Sequence, residues 1–155
     1  MTAVRAAVVG AGYLGRFHAE KYRALADAVL VGVADINAEA GEAVAQACDT
    51  NFIANYKDLI GQVDAVTIAT PTSTHFELAK YFLAHGVHVL VEKPMTMTSA
   101  EGRQLTKLAQ ACNLKLQVGH IERFNPALLS ARDRFTSVQF IECHRLAPFK
   151  ERGAD

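Results

Sequence analysis

The chain has 155 residues, with 16 basic and 16 acidic side chains and a formal net charge of zero. Half of it is hydrophobic and 21% is charged, the balance of a globular protein long enough to bury a real core. A neutral chain lacks the basic excess that nucleic acid or an anionic membrane surface demands, and no apolar run approaches the roughly 20 residues of a membrane span.

Arg16, His18 and Glu20 break up any apolar stretch that would serve as a secretion signal. Cys48, Cys112 and Cys143 are odd in number and far apart, so they suggest neither a disulfide framework nor a Cys-x-x-Cys metal site. They fit a reducing, cytoplasmic setting.

In chain order, residues 3–9 read as a first strand, continuous in small apolar residues and therefore buried on both faces. A helix after Gly12 carries Leu14, Phe17, Tyr22 and Leu25 on one side. Residues 28–34 form a second strand ending at Asp35, and a helix follows from the N-cap Asn37 with Ala40, Ala43, Val44 and Ala47 inward. Residues 52–53 and 63–69 are the third and fourth strands. The next helix opens on Thr74-x-x-Glu77, a capping-box pattern, buries Leu78, Ala79, Phe82 and Leu83, and stops at Gly86. Residues 87–91 are a fifth strand. Thr98-x-x-Glu101 heads a helix with Leu105, Leu108, Ala109 and Cys112 inside. Residues 115–118 are a sixth strand, and 124–135 a last helix with Pro126 in its first turn.

Strands alternating with helices specify right-handed βαβ units and a parallel sheet. Six of them predict a doubly wound α/β fold of the Rossmann type, strand order 3-2-1-4-5-6. Residues 138–146 read as a half-polar strand that follows the completed six-strand unit. The expected division is therefore a first domain over 1–135 and, over 136–155, the start of a truncated second domain. An added edge strand of the first domain is the alternative.

Gly10, Gly12 and Gly15 form Gly-x-Gly-x-x-Gly between a predicted strand and a predicted helix, where a dinucleotide site needs it. Gly10 allows the tight turn, Gly12 lets a pyrophosphate approach the backbone, and Gly15 lets the helix pack closely on the strand. The exposed N–H groups and the positive end of the helix favour phosphate charge. Tyr13 and Leu14 share this turn and count among the candidate cofactor contacts.

Asp35 ends the second strand, where a carboxylate accepts hydrogen bonds from the adenosine ribose and repels a 2′-phosphate. Two unit charges about 4 Å apart at an effective dielectric near 20 repel by about 4 kcal/mol. Its neighbours Ile36, a further candidate contact, and Asn37 supply no arginine to hold that phosphate, so NAD is expected over NADP. A glycine turn without a ligand, with Asp35 merely capping a helix, is the bland alternative.

The fourth strand runs into Thr70-Pro71-Thr72-Ser73-Thr74-His75, a loop at the topological switch point where open α/β sheets bind ligands. Thr70, Pro71 and Thr72 are candidate cofactor contacts; His75 either leans toward the cofactor or caps the helix. The fifth strand ends in Glu92-Lys93-Pro94. Lys93 there can orient a substrate hydroxyl or relay its proton, and Glu92 can bind a ribose; a solvated ion pair is the alternative. His85 and His88 lack a third ligand nearby in sequence, so no metal site is expected. No serine lies in a Gly-x-Ser-x-Gly elbow.

The glycine motif with His18 downstream, Thr70-Pro71-Thr72-x-x-His75 and above all Glu92-Lys93-Pro94 resemble the Gfo/Idh/MocA oxidoreductases over essentially the whole chain. That family includes glucose–fructose oxidoreductase, inositol dehydrogenases and rhizopine catabolism proteins. The stretch from Val118 to Pro126 resembles its nucleotide-sugar branch, typified by UDP-N-acetylglucosamine 3-dehydrogenases.

The resemblance implies an N-terminal NAD(P)-binding domain, a C-terminal α/β domain that lines the substrate site and forms a homo-oligomer interface, and reversible oxidation of a sugar or cyclitol alcohol. It implies that Lys93 is the catalytic lysine beside the nicotinamide, that Glu92 lies on the cofactor ribose, and that Arg123 lies near the nicotinamide or substrate. The family's further motif, an Asp and a His on a C-terminal helix, has no match here, so these 155 residues are expected to bind cofactor with little turnover. The alternatives are a non-catalytic NAD-binding or redox-sensing module and an S-adenosylmethionine-dependent methyltransferase; Glu92-Lys93-Pro94 and the complete third glycine argue against the last.

Overall fold

The computed structural model describes residues 2–144 and Leu146. Two compact units divide the chain, residues 1–119 and 120–155.

The first unit is a six-stranded parallel sheet: β1 (Val4–Val9), β2 (Ala28–Ala34), β3 (Asn51–Ile53), β4 (Ala65–Ile68), β5 (His88–Val91) and β6 (Leu116–Val118), in the order β3-β2-β1-β4-β5-β6. That is the doubly wound order expected, and each strand lies within two residues of its predicted bounds. Helices α1 (Tyr13–Ala24), α2 (Ala38–Ala47), α3 (Thr72–Ala84) and α4 (Ser99–Ala111) make the crossovers.

Strand periodicity divides the core between the two faces of the sheet. From β1, Ala7 and Val9 join Val66, Ile68, Ala79, Phe82, Leu83 and Leu105 in the larger cluster, built with α3 and α4. Val8, one residue out of phase, joins Ala19, Val33, Val44 and Cys48 in the smaller cluster, built with α1 and α2. Thr67, also fully buried, meets the Tyr22 hydroxyl at 2.8 Å. Burial pushes the Cys48 thiol up, which makes it an inert core residue.

Helix α1 departs from its predicted phase. Its buried residues are Gly15 and Ala19, whereas Leu14, Phe17 and Leu25 are exposed. A Cβ on Gly15 would stand 1.8 Å from the Gly10 carbonyl oxygen, so the helix lies against the first turn through its smallest residues and its large ones face out. Phe17 instead meets Tyr13 edge-on, ring centroids 5.0 Å apart. Helix α2 is shifted similarly: Gly41, Val44 and Ala45 are buried while Ala43 and Ala47 are exposed. In α4, Leu105 and Ala109 are buried as expected, and Cys112 is exposed.

In the second unit, the last helix is shorter and broken. A 3-10 turn (Ile121–Phe124) precedes α5 (Pro126–Ala131), and a second one (Arg132–Arg134) follows it. Asn125 caps α5 by accepting the Ala127 N–H at 2.9 Å, with Pro126 at its first position as anticipated. Residues 138–144 and Leu146 form no strand; Arg145 of the predicted 138–146 segment lies outside the described residues. A strand needs a hydrogen-bonded partner, and among the described residues this segment has none.

Candidate nucleotide-binding and active site

The strand register sets out the site. Ala34, Val9, Ile68, Val91 and Val118 pair across β2, β1, β4, β5 and β6 and form one row at the carboxyl end of the sheet. The residues just beyond that row are Asp35, Gly10, Ala69, Glu92 and Gly119. Asp35 and Glu92 are thus three strand spacings apart, about 14 Å at ~4.8 Å each.

Gly10 sits at φ +103°, and a Cβ there would stand 2.5 Å from the Ala69 carbonyl oxygen, so no other residue fits this turn from β1 to α1, which passes the end of β4. Gly12 is the opposite case. A Cβ placed on it meets nothing within 4 Å: the turn opens a gap there. Gly12 is also the N-cap of α1, with no side-chain cap and no acidic residue in the first turn. The first turn of α3, across the switch point, likewise has neither. The flanking helices are closed. Asn37 caps α2 by accepting the Ala40 N–H at 3.2 Å, and Thr98 and Glu101 form a full capping box on α4. The two central helix starts lack a side-chain cap, and the positive ends of their dipoles meet at the switch point, which fits a diphosphate.

Asp35 lies beside this turn. Its Oδ2 accepts the Ala11 N–H at 2.5 Å and its Oδ1 the Asn37 N–H at 2.7 Å. Both oxygens keep lone pairs for a ribose hydroxyl. Tyr13, Leu14 and Ile36 leave apolar surface exposed around the turn, Ile36 completely. These are the groups that an adenosine diphosphate moiety requires, so the residues present fit a dinucleotide.

The predicted Thr74-x-x-Glu77 cap does not form, because α3 starts three residues earlier, with Pro71 at the N-cap position. The Thr74 hydroxyl turns instead to Thr70 Oγ1 at 2.7 Å and to the Pro71 carbonyl at 2.8 Å. Thr70 is half-buried, Pro71 exposed and Thr72 buried. His75 is buried at 1% exposure, with Nδ1 2.9 Å from the Pro94 carbonyl oxygen and Nε2 2.8 Å from that of Thr70. Its ring braces the loop after β4 against the turn after β5, and no ring nitrogen is left to face a cofactor.

Glu92 and Lys93 are not the solvated ion pair of the bland reading. Glu92 is 6% exposed, whereas Lys93 is exposed beside it. One Glu92 oxygen lies 2.9 Å from His18 Nε2 and the other accepts the Lys93 N–H at 3.2 Å. The peptide bond between Lys93 and Pro94 is cis. Beyond Pro94 an open groove of about 600 Å³ runs along α4, lined by Met95, Met97, Ser99, Arg103 and Lys107 among others. Arg123 belongs to the second unit, exposed in the turn Ile121–Phe124. Two residues of this edge, His18 and Gly119, stand in the sequence only as parts of longer patterns, with no role of their own signalled by local spacing.

The oxidoreductase family described as having an NAD-binding Rossmann fold, GFO_IDH_MocA, matches residues 4–120. The chain belongs to this family. As a member of the Gfo/Idh/MocA family it is 44% identical to a UDP-N-acetylglucosamine 3-dehydrogenase of Acidithiobacillus ferrooxidans over all of this chain and 49% of that protein. The solved structure of that enzyme superposes with a TM-score of 0.82 at 43% identity, over 86% of this chain and 44% of the other. An inositol 2-dehydrogenase of Rhizobium meliloti is 37% identical over 83% of this chain and 39% of its own. GenD2 from gentamicin A biosynthesis, solved in complex with NAD, superposes with a TM-score of 0.84 at 28% identity, over 88% of this chain and 40% of its own. The chain therefore spans half or less of the length of the relatives it matches.

Proposed function

We propose that this chain forms the cofactor-binding part of an NAD-dependent dehydrogenase that oxidises a secondary alcohol of a sugar, the substrate being a nucleotide sugar such as a UDP-N-acetylhexosamine. The observation that carries the reading is the row along the sheet's carboxyl edge. An open, uncapped glycine turn with a carboxylate on one side lies in line with an exposed lysine at the end of β5. The relatives that are sugar and cyclitol dehydrogenases support the reaction class, and the 44% identity to a UDP-N-acetylglucosamine 3-dehydrogenase supports the substrate class.

Nicotinamide, when bound, supplies the hydride acceptor. The α1 and α3 first turns hold the diphosphate through backbone N–H groups. Asp35 accepts from the adenosine ribose and selects NAD over NADP. Glu92 and Thr70–Thr72 hold the nicotinamide half, and Lys93 Nζ orients the substrate hydroxyl and relays its proton.

Fluorescence titration with NADH and NADPH tests the cofactor, and reduced-nicotinamide absorbance with a panel of UDP-sugars and inositols, on the full-length protein, tests the reaction. Tight NADH binding with turnover of a UDP-N-acetylhexosamine is expected. Absence of NADH binding overturns the reading. Binding without turnover of any alcohol turns it into the alternative, an NAD-binding module.

A further inference from the structure

We propose that His18 is a positioning residue: by donating its Nε2–H to the buried carboxylate of Glu92, it fixes the turn that presents Lys93, in a space kept open by Gly119. The proposal rests on the reading of this edge as a nicotinamide-cofactor site.

His18 stands on α1, one turn beyond Gly15, and its side chain is 22% exposed. Glu92 is nearly closed off from solvent, and an ionised carboxylate in such a place is tolerated when hydrogen bonds and a polar or charged partner compensate its lost hydration. Two donors do so here: His18 Nε2 at 2.9 Å and the Lys93 backbone N–H at 3.2 Å, one to each oxygen. The second donor belongs to the lysine itself. The direction of the Glu92 carboxyl and the backbone course at Lys93 are therefore coupled, and His18 holds the other end of the couple.

Gly119 completes the arrangement. A Cβ there would stand 2.9–3.0 Å from both Glu92 oxygens and its carboxyl carbon. That neighbour is the tip of a side chain, so an alanine leaves the backbone in place and pushes the carboxylate away. The pair also joins α1, whose first turn is the phosphate cradle, to the end of β5, which makes Lys93 sensitive to the seat of α1.

The tautomer of His18 follows from the proposal, with Glu92 as the acceptor. A carboxylate has no donor of its own, so Nε2 of His18 must carry the hydrogen. Glutamine places an amide N–H2 close to the position of Nε2 and can replace it; alanine cannot.

The test uses NADH titration, thermal unfolding and 15N NMR of the imidazole nitrogens on the 155-residue chain. His18 Nε2 is expected to give the signal of a protonated nitrogen. Because the Glu92 carboxylate that they position also holds the nicotinamide half, His18→Ala and Gly119→Ala are expected to weaken NADH at least about fivefold while unfolding remains cooperative, a loss that the lysine side chain itself does not produce, and His18→Gln to return the affinity to within about twofold of the parent. A merely structural histidine would lower the unfolding midpoint without this selective rescue. An unprotonated Nε2, unchanged NADH affinity in both alanine variants, or a glutamine variant no better than alanine each overturns the proposal. Should His18→Ala fail to fold, Gly119→Ala carries the binding arm. A parent chain that does not bind NADH counts against the dehydrogenase reading, while the nitrogen signal still decides the His18–Glu92 assignment.

Discussion

At the carboxyl edge of the sheet two helices begin without side-chain caps, a glycine turn stands open, and Glu92 and His75 are buried polar groups that tie loops together. At the amino edge side chains close on one another and on the backbone. Arg5 meets Asp64 at 2.7 Å, its backbone N–H donates to the same carboxylate at 2.9 Å, and His88 Nδ1 accepts the Lys115 N–H at 3.0 Å. The strands between are common to both edges. The difference lies in how the ends are finished: side chains close the amino edge, whereas the carboxyl edge carries two helix starts without a side-chain cap.

If that contrast is real, substitutions should separate along it. The largest effect is expected at Gly15. Its alanine variant puts a Cβ 1.8 Å from the Gly10 carbonyl, a backbone clash that must move α1, so both the unfolding midpoint and NADH binding should collapse. A Gly15→Ala chain that kept both would break the account of the turn. Next comes Lys93→Met in the full-length protein. NADH affinity should stay within a few fold and turnover of the alcohol should vanish; unchanged turnover removes Lys93 from the chemistry. Gly12→Ala sharpens the comparison with Gly15. Nothing in the fold meets its Cβ and its φ is −68°, so stability should hardly change, whereas a Cβ in the path of a diphosphate should weaken NADH about tenfold or more, read by fluorescence titration.

Asp35 should act on selectivity rather than on stability. Removing its charge by Asp35→Asn takes away the repulsion toward a 2′-phosphate, about 4 kcal/mol at most. The ratio of NADPH to NADH dissociation constants should fall more than tenfold. A parent chain that binds NADPH as tightly as NADH would show that this carboxylate does not discriminate.

Much of this was readable because parallel sheets repeat a simple local pattern. Small apolar runs, glycine turns and Asn37 or Thr98 caps each carry their own signal, and together they gave the strand order and the row of residues at its end. What failed was governed by contacts across the fold. The inward face of α1 was assigned to Leu14 and Phe17, but a helix that seats on a backbone turn chooses its smallest residues. The Thr74 pattern falls inside α3, which begins at Thr72, so that hydroxyl has no helix start to cap and turns to Thr70 and Pro71. His18 and Glu92 are 74 residues apart, and no local spacing announces that they meet. The reading of 138–146 as a strand relied on residue types alone, and strand pairing depends on a partner as much as on composition.

The amino edge supplies the smallest effect and the cleanest control. Arg5 holds the Asp64 carboxyl below its ordinary value, first through the guanidinium hydrogen bond and then through its own backbone N–H. Because the folded value is the lower one, the contribution to stability is present above the unfolded value near 3.8 and is lost as pH falls through the folded one. Both side chains are more than two-fifths exposed, so the contribution is screened and modest. Asp64→Asn should therefore lower the unfolding midpoint slightly at neutral pH, and the gap from the parent should close in strong acid. NADH affinity should not move at either pH where both chains are folded. A loss of binding comparable to that of Gly12→Ala would mean that the two edges communicate, and the division of labour between them would have to be given up.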